Sequence, residues 1–228
     1  MRIRSFIIAY ALVLAILLFA DRRPGSTQQD RYSHVVDLTA GQTTTAPPPS
    51  APESRTRIIA PGALIPGTWT AGQIPPERLI APLVVMDLNA ANANALNDGS
   101  TQISLDDIAA WESHNGMIPQ GAVVAIRRMG ASNNLSTAKL TPTPFPVAHD
   151  AATFLIEARN TIGFAVETPV NFTFDRTLAQ QLALHGNYVV DRTERFTALP
   201  ATGSLIIVAP AKGKKPGTEA VRILAMVR

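Results

Sequence analysis

Residues 83–88, LVVMDL, form a nearly unbroken apolar run, and a strand of that kind has to be buried on both faces. This demands a sheet covered on each side, so the rest of the chain is read for what could cover it. Residues 35–39 alternate like a strand, and 121–127, 162–166, 188–190, 205–208 and 221–227 read as further short strands. Ser104-Leu105-Asp106-Asp107 is an S-x-x-D helix start leading into Ile108 and Trp111 and ending near Gly116. Residues 150–159 suit a short amphipathic helix. Another helix runs from about Arg176 to His185 and stops at Gly186, which can take the left-handed conformation after the cap. Residues 141–146, TPTPFP, read as a stiff surface loop, and the Thr-, Pro- and Gly-rich stretch 40–54 as a loop with polyproline character. Short strands alternating with a few helices give an α/β or α+β class with a mixed sheet. There is no internal repeat, P-loop, dinucleotide fingerprint or zinc-finger spacing.

Composition narrows the function classes. With 228 residues, 46% of them hydrophobic, the chain suits one domain plus a leader. The charge is modest, Lys+Arg 20 against Asp+Glu 17 for a net of +3, and the basic residues are scattered except for Lys212, Lys214 and Lys215. That triplet beside Gly213 and Gly217 reads as a solvated turn, with contact to phosphate or anionic lipid as the other use. Nothing points to nucleic acid, since aromatic stacking platforms are too few. The absence of cysteine excludes disulfides, thiolate metal sites and a Cys nucleophile.

Arg2 and Arg4 precede 15 apolar residues, 6–20, before the chain turns polar at Asp21. This is the pattern of an export signal. As a helix the run would reach roughly 22 Å, short of the ~30 Å hydrocarbon core, which favours a cleaved signal peptide over a spanning anchor. A short uncleaved N-terminal anchor is the alternative, because Leu18 stands where a cleavage site prefers a small residue. The expected organisation is a leader at 1–20, a polar tether at 21–33 and one domain at 34–228, outside the cytoplasm. The membrane would be a partner only through the leader, if uncleaved.

Residues 53–88, ESRTRIIAPGALIPGTWTAGQIPPERLIAPLVVMDL with its neighbours, resemble the signature region of the cyclase family. These metal-dependent amide and lactone hydrolases include bacterial kynurenine formamidase, and their motif runs H-x-G-T-H-x-D-A-P-x-H. Thr56, Ala60 and Pro61 match its frame, and residues 69–88 match the segment that follows. The motif's three histidines fall on Glu53, Arg57 and Ala63, its aspartate on Ile59 and its first glycine on Arg55. The resemblance continues in order through HVVDLT at 34–39, the block 106–130, TIGFAVETP at 161–169, residues 186–210 and GTEAVRILAMV at 217–227. The family's acid/base glutamate falls on Asp191 and a further family histidine on Ala179. The resemblance implies a mixed α/β, swivelling β/β/α fold with a small barrel-like mixed sheet, and homo-oligomers with the site near a subunit interface.

The family would use Zn or Mn, which need convergent imidazoles and carboxylates. Ile59 and Ala63 donate nothing, and the permanently protonated guanidinium of Arg57 repels a dication. No cofactor is therefore expected. Metal lowers the pKa of bound water from 15.7 to about 7, and its loss leaves roughly 12 kcal/mol that Asp191 alone does not supply. There is no G-x-S-x-G elbow, and His34, His114, His149 and His185 occupy none of the motif's ligand positions. On this overlay Glu53, Arg57, Asp191 and Arg192 converge on the former metal position, with Trp69 at the mouth. The group either forms internal ion pairs that fill an emptied polar cavity, or Arg57 binds a small anionic ligand such as a carboxylate bidentately. The leading expectation is a non-catalytic binding or scaffold protein. The alternative is a hydrolase of the arylformamidase or cyclic-amide/lactone type acting through an altered site.

Overall fold

The structure, a computed structural model, describes residues 32–40, 55–88, 102–128, 142–212 and 217–228. The strands are β1 (His34–Asp37), β2 (Arg57–Ile59), β3 (Ile80–Leu88), β4 (Val123–Arg128), β5 (Gly163–Val166), β6 (Tyr188–Asp191), β7 (Ser204–Pro210) and β8 (Thr218–Val227). The helices are α1 (Pro61–Leu64), α2 (Leu105–Asn115), α3 (His149–Ala158) and α4 (Arg176–Leu184). The leader at 1–20, Glu53 and most of the tether lie outside the described residues, as do Lys214 and Lys215.

Parallel strands need long crossovers, and α2, α3 and α4 supply them between β3, β4, β5 and β6, which lie side by side in parallel. The remaining pairings are antiparallel: β3 with β7, β7 with β8, β8 with β1 and β2, and β2 with β6. Because β7 also pairs with β8, the order β8-β2-β6-β5-β4-β3-β7 returns on itself and closes a seven-stranded ring. β1 and β2 share one edge of β8, opposite residues 224–227 and 218–220 respectively. The result is the mixed α/β class with a small barrel-like sheet expected above.

Strand alternation divides the core in two. Leu83, Val85, Val123, Ala125, Ala165, Tyr188, Val190 and Ile223 form one cluster within the ring. Val84, Met86, Val124, Ile126, Phe164 and Val189 form the other, against Ile108 of α2, Leu155 of α3 and Leu178 and Leu182 of α4. Both faces of β3 are thus buried, as its composition demands. The polar break in its run, Asp87, stands directly opposite Arg127 of β4 and accepts from its Nη2 at 2.9 Å.

The helix starts follow their sequence signals. Ser104 accepts from Asp107 N–H while the Asp107 carboxylate accepts from Ser104 N–H, a reciprocal box that opens α2. Asp175 caps α4 by accepting from Leu178 N–H at 2.9 Å. Gly186, two residues past α4, has φ +69, and a Cβ there would stand 2.8 Å from the Trp69 ring. One expectation is corrected. Of the expected surface loop 141–146, the described residues 142–146 are not simply exposed, since Phe145 is buried and packs edge-on against Phe164 with centroids 5.2 Å apart. Thr143 bridges Val170 in parallel, and this extended backbone turns the aromatic between two prolines onto the outer face of the sheet.

Candidate functional site

β2 is only three residues long, and its register makes the site. Arg57 lies directly opposite Asp191, the last residue of β6, across an antiparallel pair. Ile58 and Val190 point into the ring cluster, so Arg57 and Asp191 point the other way, toward α1 and α4. Arg57 Nε donates to Asp191 Oδ1 at 2.9 Å and to Oδ2 at 3.1 Å, and Nη2 donates to Oδ2 at 2.9 Å. Val170 N–H adds a bond to Oδ2 at 3.0 Å. Arg192 Nη1 stands 3.7 Å from Oδ1, so the one carboxylate faces two guanidinium groups.

The backbone around this pair is fixed by Thr56, which is buried. Its hydroxyl donates to the Arg192 carbonyl at 2.7 Å and accepts from Ala40 N–H at 2.7 Å. Arg192 has φ +57, uncommon for a side chain with a Cβ, and it turns the chain out of β6 at this point. The Asp191 side chain is wholly buried, whereas that of Arg57 is 22% exposed.

The exposed part of Arg57 borders a cavity of about 580 Å³. Its walls are Ile59 of β2, Ala63 and Leu64 of α1, Val170 and Phe172 after β5, and Arg176, Ala179 and Gln180 of α4. Three motif positions therefore meet, Arg57, Ile59 and Ala63, together with Ala179, where the further family histidine falls, and with Asp191 beneath Arg57. Arg192 adjoins through Asp191, and Glu53 lies outside the described residues. Trp69 does not line this cavity. It borders a separate cleft of about 250 Å³ with Thr68, Ala183, His185 and Gly186, and the Arg78 guanidinium sits 5.7 Å from its ring centroid.

These residues do not fit a divalent metal ion. Ile59, Ala63 and Ala179 carry no donor, and Asp191 is committed to three bonds from Arg57 and one from Val170. A dication there would also touch a guanidinium. Among the described residues no three His, Cys, Asp or Glu side chains group as metal ligands. What the arrangement offers instead is hydrogen-bond donors. Asp191 occupies the Nε–Nη2 edge of Arg57, and Nη1 is engaged by no described residue. The Nη1–Nη2 edge is the fork that takes a carboxylate end-on.

The overlay on the sequence missed Arg176 and Phe172, which lie outside the motif. One signal was present: Arg176 follows the capping Asp175, and a cation in the first turn of a helix opposes its dipole.

Comparison with known proteins agrees with this picture of the fold. No curated protein matches the chain in sequence. Isatin hydrolase A from Labrenzia aggregata, bound to benzyl benzoate, is 24% identical with a TM-score of 0.64, covering 96% of this chain and 99% of its own. Isatin hydrolase A from Ralstonia solanacearum is also 24% identical, with a TM-score of 0.66 over 86% of this chain and 92% of its own. A potential metal-dependent hydrolase with cyclase activity is 21% identical, with a TM-score of 0.60 over 86% and 98%. At these identities the likeness is one of fold. The model of the family described as Cyclase matches residues 50–171, more than half of the chain. The chain, with its ring of seven strands and its cavity at the motif positions, belongs to the cyclase family.

Proposed function

We propose that this cyclase-family domain, hydrolase-type in fold, is a non-catalytic protein that holds a small carboxylate on Arg57. The observation that carries the reading is the division of the guanidinium between two partners. One edge is pinned by the buried Asp191, which fixes the rotamer and removes its entropic cost, and the other borders a cavity with no carboxylate among its described lining residues. Apolar walls from Ile59, Leu64, Val170 and Phe172 suit a ligand with a hydrocarbon body. The hydrolase alternative draws on the family alone. It needs a nucleophile beside a base, and the lining hydroxyls of Thr173 and Thr218 have no histidine or carboxylate next to them among the described lining residues. The same proposal places the protein outside the cytoplasm behind residues 1–20, as a homo-oligomer.

The test is calorimetric titration of small aliphatic and aromatic carboxylates into the wild type and Arg57→Lys. Lysine keeps a cation beside Asp191 but has no fork, so the variant should fold and bind carboxylates at least about tenfold more weakly. Equal affinities for the two proteins would refute Arg57 as the anchor.

A further inference from the structure

We propose that Arg176 is a second anion anchor and that the ligand is a dicarboxylate, one acid group on Arg57 and the other on Arg176 across an apolar spacer. This rests on the reading of Arg57 above and goes beyond it in specifying the ligand's charge and shape.

Arg57 of β2 and Arg176 of the first turn of α4 both line the cavity, so two arginines border one space from different elements. A sphere of 580 Å³ is about 10 Å across, the scale of a six- to eight-carbon ligand and within the usual range of small-molecule sites. Ile59, Val170 and Phe172 add apolar lining to the same cavity. Structural explanations for Arg176 are lacking among the described residues. It is exposed, and none of the hydrogen bonds or ion pairs of the neighbouring side chains involves it: Asp175 is taken up by Leu178 N–H and by His149 Nδ1 at 3.1 Å. Helix electrostatics disfavour a cation at this position, so its presence is not accounted for by the stability of α4. A monocarboxylate seated on Arg57 leaves Arg176 in water, where a lone surface charge contributes little. A second acid group on the same ligand uses it at no further cost in translational freedom.

The experiment compares matched pairs by calorimetry on the full protein: hexanoate with adipate, and benzoate with terephthalate. Wild type should bind the better dicarboxylate at least about tenfold more tightly than its monocarboxylate partner. Arg176→Gln should abolish that preference, weakening the dicarboxylate at least about tenfold more than its monocarboxylate partner, with the melting temperature as the check on folding. Equal affinity within both pairs, or a preference that survives Arg176→Gln, overturns the second anchor and leaves Arg57 standing. Failure of the wild type to bind any of the four overturns both.

Discussion

Arg57 and Asp191 are coupled because each is the other's main compensation. Removing the guanidinium leaves a wholly buried carboxylate with one backbone bond and Arg192 at 3.7 Å, and removing the carboxylate takes from Arg57 its ion-pair partner. Arg57→Ala and Asp191→Ala should each destabilise the protein by about 3 kcal/mol, read as a shift in urea denaturation. Because the penalty comes from the orphaned partner, the double variant Arg57→Met, Asp191→Leu should recover most of that loss. A double variant as unstable as the sum of the two singles would show that the pair is not the source of the effect. Both residues were legible in the sequence, because the family frame fixes their places and charge chemistry says what a guanidinium does there. Trp69 was legible as an aromatic near the motif but not in its direction. Its ring lies against Gly186 and beneath Arg78, which follow it in the chain by 117 (186 − 69) and by nine (78 − 69) positions. Arg176 was missed because a surface arginine is unremarkable until a cavity is seen beside it.

At the scale of elements, α4 brings Arg176, Ala179 and Gln180 to the cavity, so its N-terminal cap sets the geometry of one wall. Burial pushes the Asp175 carboxyl up, but the bonds from Leu178 N–H, His149 and Thr177 N–H more than offset it, and the group titrates below its ordinary 3.8. A depressed folded pKa contributes stability above the unfolded value, and that contribution is lost as the pH falls below about 4 through the folded value. Asparagine caps nearly as well without titrating. Asp175→Asn should therefore be less stable than wild type at pH 7, with the difference shrinking near pH 3. Urea denaturation at the two pH values checks this, and a difference independent of pH would remove Asp175 from the acid response. Helix and strand limits were readable because caps and glycines are local signals. The strand β2 was not read as one, being too short to show alternation. Phe145 was misplaced because proline flanks suggest a loop, although the same extended backbone also lets a side chain lie against a sheet.

For the molecule as a whole, the class was legible from short strands alternating with a few helices, and the barrel-like sheet only from the family resemblance. The register that sets Arg57 against Asp191 depends on strands 134 residues apart in the chain, a distance over which no local pattern speaks. Ile59, Ala63 and Ala179 carry no metal donor, so on the proposed reading metal should not act as a stabilising ligand. Incubation with Mn or Zn followed by desalting should leave less than one equivalent per chain by mass spectrometry and no rise in melting temperature. Stoichiometric metal with a raised melting temperature would return the hydrolase reading to first place. The ring itself carries a further consequence. β8 pairs with β1, β2 and β7, all of which precede it in the chain. Among the described strands, the one that closes the circle is therefore the last to be synthesised. Without β8, the three-residue strand that carries Arg57 has only β6 to pair with. If the proposed carboxylate site is right, a chain stopped short of Thr218 should not bind, because β2 would lack its pairing with β8.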